Sequence, residues 1–209
     1  MYEVEKKKEI SQAVINRIPR YYRYISELKK QNVTRISSKN LANIIGLTAS
    51  QVRQDFNCFG GFGQQGYGYN VEKLCEELED ILELRRNKTA IVVGVGNIGR
   101  ALIKNFNFYS SGFRLISCFD TNPDIIGRTI NGMEIQDYKE LRKFVATEKP
   151  DIAVLTLPKE VAVRVANMLV ECGIRGIWNF TNVDLNFDQI AVENIHFSDS
   201  LMRLCYEVG

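Results

Sequence analysis

The chain has 209 residues, 45% of them hydrophobic and 25% charged, which suffices for one large domain or two small ones and is ordinary globular composition. No apolar run approaches the roughly 20 residues of a transmembrane helix, and the opening MYEVEKKKEI lacks the apolar stretch of a signal peptide, so residence inside the cell is expected. The net charge of +2 conceals a division: residues 1–69 hold 11 Lys and Arg against 5 Asp and Glu, a balance of +6, whereas residues 70–209 hold 16 against 20, a balance of −4. A basic head on a mildly acidic body suits nucleic-acid binding at one end, because neutralising phosphates needs local positive charge. The cysteines (Cys58, Cys75, Cys118, Cys172, Cys205) are scattered and His196 is the single histidine, so no zinc cluster is expected and the thiols read as reduced and partly buried.

Over residues 11–30, Val14, Ile18, Tyr21, Tyr22, Ile25 and Leu28 recur at spacings of three and four, which predicts an amphipathic helix with Pro19 as a kink or true start. Next, Ser38 can cap a short helix carrying Leu41, Ile44 and Ile45. Gly46 then supplies a turn, and Thr48 caps a second helix carrying Val52 and Phe56. Two short helices about a glycine turn make a helix-turn-helix. Its second helix would read DNA through Ser50, Gln51, Arg53, Gln54 and Asn57, with Ser37 and Ser38 at the start of the first helix as further contacts. Residues 59–69, FGGFGQQGYGY, place five of the 15 glycines in eleven positions between aromatics. Such a stretch cannot be helical. Directly after a reading helix it is expected to form the β-hairpin wing of a winged helix, with Gln64, Gln65, Gly66 and Tyr67 at a tip that enters a minor groove. Phe59, Phe62, Tyr67 and Tyr69 imply that the segment packs. Residues 71–86 predict a helix with Leu74, Leu78, Ile81 and Leu82 on one face, ending the first domain near Asn87.

The stretch TAIVVGVGNIGRALI runs an apolar strand into Gly94-x-Gly96-x-x-Gly99 and then into a helical pattern. Gly94 allows the tight turn, Gly96 lets backbone approach a pyrophosphate, and Gly99 lets helix and strand pack closely, so residues 94–99 (with Val95, Asn97 and Ile98) would hold phosphates at a helix N-terminus. A following strand, RLISCFD, ends at Asp120, 21 residues after Gly99, where a carboxylate can accept from a ribose diol. Thr121 and Asn122 follow it with no arginine, which favours NAD(H) over NADP(H). Residues 137–147 suit a helix, residues 151–158 a buried strand, residues 160–172 a helix ending at Gly173, residues 173–180 a strand and residues 190–197 a last strand. This alternation predicts an α/β fold, a parallel sheet wound on both faces. Thr156, Leu157 and Pro158 fall beside the glycine loop. The closing residues 198–208 are apolar on one side (Leu201, Leu204, Val208) and too short to stand alone, so they need a partner surface.

On RIPRYYRYISEL, RISSKNLA, SQVRQDF, FGGFGQQGYGYNVEKL, GVGNIGRAL, CFD, DIAVLTLP and GIRGIWNF, the sequence resembles, end to end, the Rex family of redox-sensing transcriptional repressors. The resemblance implies three parts: a winged-helix DNA-binding domain with linking helix (1–86), a Rossmann NAD(H)-binding domain (87–197) and a C-terminal helix exchanged between subunits (198–209). It implies a cytoplasmic bacterial homodimer that binds palindromic operator DNA and senses the ratio of NADH to NAD⁺. NADH closes the dimer and releases DNA, whereas NAD⁺ competes without releasing it. Phe197 joins the cofactor-binding set by the same resemblance. Many family members carry Lys or Arg where this chain has Gln54, Gln64 and Gln65, so a shallower salt dependence is expected, by about one unit of slope per lost phosphate contact. Some members also switch through a Tyr, an Arg and an Asp. This chain keeps Arg23 but has Asn105 and His196 at the other two places, with Asp199 one turn on as a substitute carboxylate, or His196 as a pH-sensitive element.

Two other readings share the glycine loop. One is a small NAD-dependent dehydrogenase, weakened because only about 50 residues follow Leu157 and His196 is the sole imidazole. The other is a sensor of coenzyme A or another nucleotide, since a glycine loop grips any diphosphate.

Overall fold

The computed structural model describes residues 10–60, 62 and 67–209. The chain divides into two compact units, Met1–Arg85 and Arg86–Gly209. The predicted first helix is two: α1 (Gln12–Ile15) and α2 (Ile18–Lys30). The break falls where Pro19 requires it, since a proline is tolerated in a first turn and clashes with any preceding one. β1 (Arg35–Ile36) is followed by α3 (Ser38–Ile45) and α4 (Ala49–Asn57). Gly46, at φ 65°, is the left-handed turn between the two helices, and the Thr48 hydroxyl caps α4 by accepting from Gln51 N at 3.1 Å. The cap of α3 is Ser37, accepting from Asn40 N at 3.0 Å, and not Ser38, which is the first helical residue.

β2 (Tyr69–Asn70) pairs antiparallel with β1, Ile36 opposite Tyr69. In the described part of the glycine-rich segment, then, the strand partner lies ahead of α3, a pairing the sequence did not announce. α5 (Val71–Ile81) ends five residues before the predicted Arg86, because Glu83 turns left-handed (φ 56°) and a single 3-10 turn, Leu84–Arg86, follows. Tyr21 and Ile25, Leu41 and Ile45, Val52 and Phe56, and Leu74 and Leu78 meet in one buried core. The Phe56 ring stands at its centre, 4.8 Å from Tyr21, 5.3 Å from Phe62 and 5.1 Å from Tyr69.

The second unit is a seven-stranded sheet in the order β5-β6-β4-β3-β7-β8-β9. Its strands are β3 (Lys88–Val93), β4 (Phe113–Asp120), β5 (Thr129–Ile130), β6 (Met133–Asp137), β7 (Ile152–Leu155), β8 (Gly176–Asn179) and β9 (Ala191–Asn194). All neighbours are parallel except the β5–β6 hairpin. That hairpin, on an Asn131-Gly132 turn with φ of 49° and 79°, lies outside the sequence reading, although Asn-Gly is its usual signature. From Ala90 to Val93, β3 is buried on both faces. Ile91 and Val93 face a core with residues of α7 (Leu141–Glu148) and α8 (Lys159–Glu171), while Ala90 and Val92 face one with Ile103 of α6 (Asn97–Asn105). α7 starts later than the predicted residue 137, which instead caps a 3-10 turn, Tyr138–Glu140. α9 (Phe197–Val208) closes the chain and is exposed along its length.

Candidate dinucleotide cleft and nucleic-acid interface

β3 is the strand at which the sheet order reverses, with β4 on one side and β7 on the other. Ligands of open parallel sheets sit outside the strand ends at such a point. The chain leaves β3 through Gly94, whose φ of +97° only glycine adopts without strain and where a Cβ would fall 2.7 Å from Thr156 O. Thr156 Oγ1 donates to Gly94 O at 2.6 Å, tying the loop to the end of β7. Gly99, in the first turn of α6, is pressed so closely on that loop that a Cβ would lie 2.7 Å from Thr156 Oγ1 and well inside the van der Waals limit of the Gly94 carbonyl. Gly96 is the opposite case. It precedes α6 without a side-chain cap, and nothing lies within 4 Å of where its Cβ would be. Uncapped helix N–H groups facing open space are what a pyrophosphate needs.

A cleft of about 530 Å³ opens there. It is lined by Gly94, Gly96, Asn97, Ile98, Asp120, Thr121, Thr156 and Pro158 of the sequence-expected set, together with Leu157 and with Phe119 and Tyr138, which sequence reasoning missed. Val95, Gly99 and Phe197 do not line it. Val95 is buried and acts through its amide, Gly99 acts by packing, and Phe197 is 60% exposed with its ring 6.2 Å from Phe180. Phe180 belongs to an aromatic ladder in which Phe108 meets Phe106 at 5.0 Å, Phe106 meets Trp178 at 5.1 Å and Trp178 meets Phe180 at 4.6 Å.

Asp120 ends β4 with both carboxylate oxygens engaged on one side: Oδ2 accepts from Val95 N at 2.6 Å and Oδ1 from Asn122 N at 2.8 Å. Each oxygen keeps a second lone pair for a ribose hydroxyl. The residue therefore organises the glycine loop as well as facing the cleft. Asp120→Ala is expected to bring NADH and NADPH affinities close to equality and to weaken NADH about tenfold, the loss of a charge-assisted hydrogen bond. Parallel titrations with the two nucleotides measure both effects, and an unchanged preference would refute the role.

In the first unit the outer face of α4 carries Ser50, Arg53, Gln54 and Asn57, all exposed. Arg53 Nη1 donates to Ser38 Oγ at 3.1 Å across the two helices. Gln51, expected on that face, is half-buried and donates through Nε2 to Asp55 Oδ1 at 2.8 Å. The helical period puts Gln51 outward, but a buried carboxylate one turn later draws it in. Asp55 also accepts from Arg17 Nε and Nη2 at 2.6 and 2.7 Å and from Tyr21 Oη at 2.7 Å. Burial pushes the Asp55 carboxyl up, yet the hydrogen bonds from Arg17, Tyr21 and Gln51 outweigh it and hold the group below the usual carboxylate range. Gln64, Gln65 and Gly66 lie outside the described residues. Tyr67 is 71% exposed, against the expectation that its ring packs, and its carbonyl accepts from Arg35 Nη1 at 3.2 Å.

A family model described as "Putative DNA-binding protein N-terminus" matches residues 9–57, and one described as "CoA binding domain" matches residues 85–183. The chain is 52% identical over 205 residues to the "Redox-sensing transcriptional repressor Rex" of Caldicellulosiruptor saccharolyticus, covering 98% of this chain and 94% of that one. To the protein of the same name in Clostridium perfringens it is 50% identical over 204 residues, covering 97% and 96%. The chain belongs to the Rex family of redox-sensing transcriptional repressors. Being a member, it is a regulator and not an enzyme. Among solved structures, the repressor RSP in complex with β-NAD⁺ and operator DNA matches with a TM-score of 0.90 at 47% identity, over 96% of this chain and 93% of that one. RSP in complex with β-NADH matches at 0.89 and 44%, over 96% and 95%.

The residues expected to form a switch fall in both units. Arg23 is exposed on α2, its guanidinium 5.4 Å from the Tyr24 ring centroid. Asn105 is exposed at the end of α6, at a shallow groove shared with Lys104 and Asn131. His196, immediately before α9, brings Nε2 to 2.8 Å from Asp184 Oδ1, a partner not foreseen from the sequence. Asp199 is exposed and accepts from Ser198 Oγ at 3.4 Å. Among the described residues no cluster of His, Cys, Asp and Glu could hold a metal ion, and the five cysteines are free thiols. Burial, with Asp120 nearby, pushes the Cys118 thiol up to about 11.

Proposed function

We propose that this chain is a homodimeric repressor that holds a palindromic operator through the α3–α4 helix-turn-helix and the glycine-rich segment after it, and that NADH in the cleft of the second unit releases it. NAD⁺ competes for the same cleft and leaves the repressor on DNA. The observation that carries the reading is the uncapped, glycine-walled start of α6 with Asp120 across the cleft, in a chain whose first unit is a basic helix-turn-helix. Residues 94, 96, 97 and 98 would hold the pyrophosphate, and Asp120 the adenosine ribose. The bound dinucleotide supplies the redox signal. RSP, at 47% and 44% identity, was captured with β-NAD⁺ plus operator DNA and with β-NADH, as this scheme requires. α9, with Leu201, Leu204 and Val208 all more than half exposed, lodges on the other subunit. The protein works in the cytoplasm; among the described residues no helix is long and apolar enough to cross a membrane.

A DNA-binding titration at varied ratio of NADH to NAD⁺ tests head, body and coupling together. NADH is expected to dissociate the protein from a palindromic duplex and NAD⁺ to protect the complex. A gel shift that persists unchanged at saturating NADH sinks the switch. Coenzyme A and NADPH belong in the same series, and tighter binding of coenzyme A than of NADH would transfer the cleft to a different signal.

A further inference from the structure

The helix that carries the reading face is fastened from beneath by a fully subscribed carboxylate. Asp55 is 1% exposed. Its Oδ2 accepts from Arg17 Nε at 2.6 Å and Tyr21 Oη at 2.7 Å, and its Oδ1 from Arg17 Nη2 at 2.7 Å and Gln51 Nε2 at 2.8 Å. A carboxylate offers about four lone-pair sites, and here each oxygen has two donors. Arg17 and Tyr21 belong to the start of α2, so they set where α4 lies against α2. Gln51 sits one turn before Asp55 on α4 and completes the set.

We propose that Gln51 and Asp55 are positioning residues that fix the rotation of α4, and that Gln51 reads no base, leaving Ser50, Arg53, Gln54 and Asn57 as the reading set. This inference rests on the DNA-binding reading above. The bond to Oδ1 takes one of the two amide N–H groups and fixes the direction of the side chain, and swinging the amide out to a base edge would leave a buried, charged acceptor short of a donor, which costs more than one base contact returns. The four proposed readers carry no such obligation. They are exposed, and the Arg53 bond to Ser38 Oγ is a surface contact that DNA can exchange.

The experiment measures affinity of the full chain for an operator duplex and for duplexes with single base-pair changes. Gln51→Met keeps the length of the side chain and removes the donor. It is expected to weaken every duplex by one common factor of about three to ten, with their ranking preserved. Arg53→Ala or Gln54→Ala, by contrast, flattens discrimination at particular base pairs. In Gln51→Met the loss of binding on acidification also begins at higher pH, because Asp55 has lost one of the bonds that favour its charged form while Arg17 and Tyr21 of α2 still face it; a side chain that only fills space would leave that limb unmoved. Two results overturn the proposal: selective loss of discrimination at one base pair in Gln51→Met, or an acid limb identical to that of the unsubstituted protein. Failure of the unsubstituted protein to bind any duplex at low salt would instead overturn the DNA-binding reading, and this inference with it.

Discussion

Gly99→Ala is expected to leave the repressor on its operator at every NADH concentration. Gly99 has ordinary helical backbone, so the effect is purely steric: the new methyl would meet Thr156 Oγ1 at 2.7 Å and overlap the Gly94 carbonyl. Neither neighbour can step aside freely, because Thr156 Oγ1 is hydrogen-bonded to Gly94 O at 2.6 Å and Gly94 N donates to Phe119 O at 2.8 Å. The loop must swing off the end of β3, and its amides no longer converge on a phosphate. Forced overpacking of this kind costs about 1–3 kcal/mol of stability in addition to the lost ligand. Gly96→Ala separates the two effects. No protein atom lies within 4 Å of the added methyl, so the fold is untouched while the methyl occupies the approach to the N-terminus of α6. Thermal unfolding and NADH titration of both variants read the difference. A Gly99→Ala protein that binds NADH normally would show that the loop is softer than its geometry.

Asp55→Ala should destabilise the N-terminal unit by about 3–5 kcal/mol, a large share of the stability of a domain this size. The cost comes less from the lost attraction than from what is left behind: Arg17, Tyr21 and Gln51 all keep donors aimed at a missing acceptor. Removing both ends of the ion pair, as in Arg17→Met with Asp55→Leu, should recover most of the loss, since a buried pair replaced by apolar groups is often neutral. The pH dependence has a definite sign. A carboxyl whose folded value is lowered stabilises the fold fully above its unfolded value, about pH 4, and ceases to do so as pH falls through the lower folded value. The unsubstituted protein should therefore lose stability on acidification below about pH 4. Asp55→Ala should lack that component, which denaturant unfolding at stepped pH would measure.

Much of the second unit was legible because its signals are local. Four consecutive buried residues at the end of β3 suit a strand covered on both faces, and Gly94 and Gly99 occupy the tight turn and the close helix–strand packing that their spacing implies. Gly46 and Thr48 declared the helix-turn-helix for the same reason. What escaped was long-range or conditional. Asp55 carries no local signal of its role, since Arg17 lies 38 positions away and nothing between them announces the pairing. Gln51 was misplaced as a consequence, and Tyr138 reached the cleft only because the overlooked β5–β6 hairpin carries the chain back beside Asp120, opposite Asp137 in the sheet register. The end of α5 is overrun because Leu84, Arg85 and Arg86 are all good helix formers and continue the helical pattern past the point where Glu83 turns left-handed.

The aromatic ladder also gives the molecule an optical property. Trp178 is the single tryptophan of the chain, and it stands one ring from Phe180, which in turn touches Phe197 at the root of α9. All indole emission thus originates at one point. A repositioning of α9 that lifts Phe197 off Phe180 changes the packing one ring away from that one chromophore, so indole emission is expected to report on the C-terminal helix, with no label to attach and no second tryptophan to subtract.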